Sequence, residues 1–257
     1  MKEPTMKKSF FSMLVAGAVL ALGSAPSYAD TRTDTKIDGA ACSTTPAPRK
    51  IEYPWMSVAR WNEMFKEDVD VADAGNVDLL FVGDSITEGW NKDIFKKSFG
   101  GWKTANFGVG GDHTGNVLWR LENGHAEKLH PKLVVLTIGV NNFFHCQADP
   151  DQVFGGVKAV LAKLRSLYPD AKILLNAVLP YEQSAKGEKR QQITELNRKI
   201  ATLGDGEKVI YKDYGANFLQ ADGDMSKEVM ADFLHPTPKG YQIWSDAMLP
   251  DIQKLMK

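Results

Sequence analysis

Four short stretches hold the residues that could do chemistry. Gly83-Asp84-Ser85 ends one apolar run, Gly108-Val109-Gly110-Gly111-Asp112 ends a second, and Gly139-Val140-Asn141-Asn142 ends a third. Asp232-Phe233-Leu234-His235 stands near the C-terminus. A serine hydroxyl is a weak nucleophile until a base takes its proton. An Asp three residues ahead of a His can reach the same imidazole if the segment turns; it then fixes the tautomer and leaves the other ring nitrogen for the serine. Blander readings stand beside these. A Ser after Gly-Asp is often only a helix N-cap, and turns in α/β folds use Gly and Asn anyway. Asp232 could simply cap the last helical region. The other histidines, His113, His125, His130 and His145, have no acid so placed in strong context, although His113 follows Asp112 directly.

Two rival motifs are excluded by inspection. The second turn lacks the third glycine of a dinucleotide fingerprint, because that position is His113, and it lacks the Lys and Ser/Thr of a phosphate-binding loop.

The elements that must position these residues alternate. Val77–Val82, Trp102–Phe107, Leu133–Ile138, Lys172–Val178 and Lys208–Tyr211 read as strands. Helical spacing covers about Trp55–Glu67, Ile94–Phe99, Thr114–Glu122, Asp151–Leu167, Glu188–Leu203 and Lys239–Met256. Strand–helix alternation predicts a three-layer α/β/α flavodoxin-like fold with a five-stranded parallel sheet. In such a sheet the three glycine turns share the carboxyl edge, where ligands bind.

Composition narrows the classes further. The 257 residues carry a net charge of −1 with no basic block, which argues against a nucleic-acid surface or a polybasic membrane anchor. Lys7 and Lys8, the apolar stretch Phe10 to Leu22 and Ser27-Tyr28-Ala29 read as a secretory signal peptide over residues 1–29, too short in its apolar part to span a membrane comfortably. The expected location is secreted or periplasmic. Residues 30–50, rich in Thr, Asp, Ala and Pro, read as a flexible linker before a catalytic domain over 51–257. An oxidising compartment would permit a disulfide between Cys42 and Cys146, the two cysteines of the chain.

Taken together, Gly-Asp-Ser, Asn-Phe-Gly-Val-Gly-Gly-Asp, Gly-Val-Asn-Asn and Asp-Phe-Leu-His, in this order, resemble the GDSL/SGNH hydrolase family over about Val77 to Trp244. The stretch Gly110 to Leu121 is most similar to the branch containing the catalytic subunits of platelet-activating-factor acetylhydrolase. The resemblance implies Ser85 as nucleophile, His235 as general base, Asp232 as its orienting acid, and an oxyanion hole from Ser85, Gly111 and Asn141. It implies no metal and no organic cofactor, and a short acyl group, with acetyl first. The ester substrate would be a small molecule or a carbohydrate; the second reading is a carbohydrate acetylesterase on cell-wall or plant polysaccharide. From another class comes a non-catalytic glycan-binding protein on the same scaffold. Phe143 and Phe144, directly after Asn141 and Asn142, are candidates to line the pocket, whereas Asp84, Asp112, Asn142, Arg120, Trp90 and Trp119 read as structural. That branch is cytosolic, and Pro236-Thr237-Pro238 follows His235 here, so mechanism transfers more readily than substrate.

Overall fold

The computed structural model describes residues 38–257; the signal-peptide reading and the first part of the linker reading lie outside the described residues. Five strands form one all-parallel sheet: β1 (Leu79–Gly83), β2 (Thr104–Gly108), β3 (Leu133–Thr137), β4 (Lys172–Asn176) and β5 (Val209–Lys212), in the order β2-β1-β3-β4-β5. The central strands β1 and β3 are buried along their whole length, as their unbroken apolar sequences require of strands covered on both faces. The chain steps from β1 to one side, then reverses to β3 on the other, which opens a switch point between β1 and β3. Gly83 pairs with both Gly108 and Thr137, so three strands end level with one another. Gly108 permits a close approach: a Cβ there would strike the Glu88 backbone.

Helices flank the sheet in two groups. α4 (Lys92–Phe99) packs with α9 (Pro238–Leu255), while α7 (Pro150–Leu167) packs with α5 (Thr114–Asn123) and with α8 (Glu188–Ala201). Under the first group Phe81, Trp90, Phe95, Phe99, Tyr241 and Trp244 form an aromatic cluster, with Trp90 stacked on Trp244 at 5.0 Å. Truncating one such ring typically costs about 3–5 kcal/mol. No described helix is long and apolar enough to cross a membrane.

Residues 38–50, read from sequence as flexible linker, are tied to the rest of the domain, with Gly39, Ser43 and Arg49 buried. α1 (Gly39–Thr44) is capped by Asp38, whose carboxylate accepts from the N–H groups of Ala40 and Ala41. Cys42 is bonded to Cys146, with Cα atoms 5.5 Å apart. Asn116 Nδ2 donates to Ala47 O at 2.8 Å, and Thr114 Oγ1 donates to Ser43 O at 2.6 Å. Composition missed this because the segment is held by a covalent bond and by polar side chains reaching its backbone, not by an apolar stripe. The first long helix, α2 (Val58–Ala74), starts at the Ser57 cap, so Trp55 lies outside it. Two short helices, α3 (Ser85–Glu88) and α6 (Val140–His145), begin within the stretches read from sequence as turns, Gly83–Ser85 and Gly139–Asn142.

Candidate active site

Ser85 begins α3 immediately beyond β1, with Asp84 as the cap: Asp84 Oδ1 accepts the Ile86 N–H at 3.0 Å. The Asp84 carboxyl is fully buried, and burial pushes it up to about 7. Ser85 Oγ lies 2.9 Å from His235 Nε2, and His235 Nδ1 lies 2.7 Å from Asp232 Oδ2. These partners assign the tautomer, with Nδ1–H donating to Asp232 and the Nε2 lone pair facing the hydroxyl.

One carboxylate builds the turn that presents His235. Asp232 Oδ1 accepts the N–H groups of Leu234 (3.0 Å) and His235 (2.8 Å), while its other oxygen takes the ring. Phe233 sits between them at φ +61°, a left-handed conformation that costs on the order of 1 kcal/mol. Its carbonyl accepts from Glu182 N at 3.2 Å. Partial burial pushes the Asp232 carboxyl up, but hydrogen bonds from the His235 ring and the two backbone N–H groups outweigh it, so the group sits below its ordinary value.

Gly111 and Asn141, from beyond the β2 and β3 ends, line the same cavity as Ser85. Asp112 N donates to Val109 O at 3.1 Å and Gly111 has φ +73°, which defines a type II turn over Val109–Asp112. Among the described residues neither Gly111 N–H nor Ser85 N–H donates to a protein group. Asn141 Nδ2 gives one hydrogen to Asp112 O at 3.0 Å and keeps the other.

Below the turn lies a buried polar network. Asp112 accepts from Trp61 Nε1 (2.7 Å), Arg120 Nε (2.8 Å) and Arg49 Nη2 (3.2 Å). Arg120 also reaches Asp68 at 2.8 Å and the carbonyls of Gly83 and Phe107. Asn142 donates to Ser43 Oγ and Thr114 Oγ1, and accepts from Thr114 N. Asp112, Asn142 and Arg120 thus hold strand ends and turns together without facing the hydroxyl.

A cavity of about 450 Å³ opens over Ser85, His235, Gly111 and Asn141. Trp55, Met56, Phe144, Tyr181 and Leu234 also line it. Phe144 packs edge-to-face on Tyr181 at 5.3 Å. Phe143 does not line the cavity: it is 7% exposed and belongs to the core, which corrects its assignment. Both residues lie on α6, where successive side chains point about 100° apart, so one alone faces the opening. Sequence reasoning missed Trp55, Met56, Tyr181, His145 and Arg49. Trp55 is 58% exposed and stacks on Tyr53 at 4.9 Å, while Tyr53 Oη lies 3.0 Å from His145 Nδ1. An apolar residue just before a Ser that caps a helix was the available signal for Met56, and none marked Trp55.

A second cavity, about 390 Å³ beside α8 and β5, is lined by Asn197, Arg198 and Tyr211 and holds no nucleophile–base pair. The one His/Cys/acid group of metal-holding geometry among the described residues is Cys42, His113 and Cys146. Its two sulfurs are bonded to each other.

The family described as GDSL-like Lipase/Acylhydrolase matches residues 81–243. The chain is 35% identical over 185 residues to the platelet-activating factor acetylhydrolase IB subunit alpha1 of Rattus norvegicus, covering 71% of this chain and 78% of that one. Among solved structures it is similar to a GDSL-like lipase from Bacteroides thetaiotaomicron (TM-score 0.60, 23% identity, 74% of this chain and 97% of that one). It is also similar to a carbohydrate acetylesterase from Sinorhizobium meliloti (TM-score 0.55, 18% identity, 70% and 99%).

Proposed function

The chain belongs to the GDSL-like lipase/acylhydrolase family and is a carboxylic ester hydrolase; on that premise we propose that Ser85, His235 and Asp232 act as its triad on short-chain, chiefly acetyl, esters. The observation that carries this reading is the unbroken relay from Ser85 Oγ through His235 to Asp232, at 2.9 and 2.7 Å.

In the acylation step Ser85 Oγ attacks the ester carbonyl carbon while its proton passes to His235 Nε2. The carbonyl oxygen becomes an oxyanion and accepts from the N–H groups of Ser85 and Gly111 and the amide of Asn141. Asp232 stabilises the imidazolium and stays ionised. Collapse expels the alcohol, which takes the proton from Nε2 and leaves acetyl on Ser85. Water then enters, gives a proton to Nε2 and releases the acid by the same path. One oxyanion donor of this kind is worth about 10²–10³ in kcat.

One observation supports a small acyl group: relatives carry acetylhydrolase and acetylesterase names. Trp55, 58% exposed and part of the cavity lining, favours a saccharide as the alcohol, since an accessible aromatic side chain offers an apolar surface with a polar tip to a partner. A location outside the cytoplasm is supported by the leader-like N-terminus and the Cys42–Cys146 bond; N-terminal sequencing of the exported protein should begin at Asp30.

The test is p-nitrophenyl ester hydrolysis by wild type and Ser85→Ala. The variant should lose about 10⁴-fold or more in kcat, and wild-type activity should decline from acetyl to octanoyl. A Ser85→Ala protein of near-normal activity ends the triad reading; a preference for octanoyl ends the short-chain one.

A further inference from the structure

The oxyanion turn depends on a residue outside the matched family region. We propose that Arg49, on the segment that precedes α2, is a positioning residue that locks the Gly110–Gly111 peptide with its N–H toward the reacting carbonyl. The inference rests on the reading of Gly111 as an oxyanion donor.

Type I and type II turns differ mainly by a flip of the central peptide, which exchanges the sides to which its C=O and N–H point. Here the central peptide joins Gly110 to Gly111, and neither residue has a side chain to resist the flip. Gly111 at φ +73° marks the type II form. In a trans peptide the C=O and N–H point in opposite directions, and the described residues contain no cis bond. The side taken by Gly110 O therefore decides where Gly111 N–H points. Arg49 Nη2 donates to Gly110 O at 2.6 Å, a charge-assisted bond made within a buried setting, with Arg49 6% exposed. In the type I form that carbonyl would turn from the guanidinium toward the cavity, placing an acceptor where the oxyanion needs a donor.

Three contacts hold Arg49 itself. The same Nη2 reaches Asp112 Oδ1 at 3.2 Å, and the guanidinium lies over the rings of Tyr53 (5.4 Å) and Trp55 (5.9 Å). From the far side, Glu88 Oε2 accepts the Gly110 N–H at 2.6 Å. A cation on the carbonyl also polarises the peptide, which makes its N–H a better donor.

The experiment compares Arg49→Ala and Arg49→Lys with wild type and Ser85→Ala, by steady-state kinetics on p-nitrophenyl acetate and by inhibition with a boronic acid, a tetrahedral mimic. Arg49→Ala should lower kcat by about 10- to 100-fold, less than outright loss of a donor, with KM within about twofold, because only the charged intermediate uses the donor. Boronate affinity should weaken by a similar factor. Arg49→Lys keeps the charge beside Asp112 and should recover part of the loss, since one ammonium can still reach Gly110 O. Should Arg49→Ala not fold, Arg49→Lys alone decides: kcat below wild type with parallel loss of boronate affinity supports the lock. Folded variants with wild-type kcat and boronate affinity overturn it, as does a loss confined to KM. Those outcomes differ from failure of the triad reading, which would appear as an active Ser85→Ala.

Discussion

Asp112 and Asn142, beneath the Gly110–Gly111 turn, are fully buried, whereas Asp232 and His235, on the turn facing it, keep 56% and 43% of their side chains exposed. The donor side is set in a network of guanidinium, indole and amide groups; the base side hangs on one carboxylate. On the proposed mechanism, different demands account for the contrast. An oxyanion donor is useful only at the right place and angle, so its support must not move. An imidazole needs only to reach a hydroxyl in the correct tautomer, which a single Asp-closed turn supplies. It follows that substitutions on the base side should cost rate but little stability, and those under the donor side should cost stability first.

The sharpest break in that contrast is Asp232→Asn. The amide can still close the turn but no longer holds the Nδ1–H tautomer or stabilises the imidazolium, so kcat should fall by about 10⁴-fold. The urea midpoint should fall only slightly, by the modest loss of charged turn bonds. A large drop in the midpoint would show that the exposed turn is structural after all.

Asp112→Asn tests the opposite side. It leaves Arg49 and Arg120 buried without their shared carboxylate, which should cost about 3–5 kcal/mol of unfolding free energy. Equilibrium unfolding in urea measures this directly, and a loss under about 1 kcal/mol would mean that the network is dispensable.

A smaller effect comes from His113, which borders the donor side and caps α5: its Nδ1 accepts the Gly115 N–H at 3.2 Å. Burial lowers its pKa from 6.5 to about 4, with His145 and Arg49 adding to the shift. A folded-state pKa below the unfolded value gives stability that is complete above 6.5 and lost as pH falls toward 4. Asp84 carries the opposite sign, since its value is raised from 3.8 to about 7 and its contribution fades as pH rises through that range. Comparing wild type with His113→Asn isolates the histidine, because Asn also caps helices. Between pH 6.5 and 4 wild type should lose on the order of 2 kcal/mol more than the variant; parallel curves in that window would exclude this account.

Much of this architecture was legible in the residues. The five strands announced themselves as apolar runs, and β1 and β3 most clearly because both faces of each are covered. Ser85, Asp232 and His235 stood out through residue type and flanking pattern. What stayed hidden depends on contacts distant in sequence. Arg49 lies in a stretch of Thr, Ala and Pro whose order comes from Cys146, Asn116 and Asp112, none of them near it in the chain. Trp55 was drawn into a helix by its spacing, but the Ser57 cap starts that helix later. The split between Phe143 and Phe144 required knowing that a turn-like stretch was helical.

The 150 positions between Ser85 and His235 also say something about the life of the chain during synthesis. On the proposed triad, the nucleophile Ser85 leaves the ribosome long before its proton acceptor His235 has been translated. A nascent or truncated polypeptide ending before residue 235 would therefore meet cellular esters as a bystander, and hydrolysis would begin only after the last helix had closed the fold.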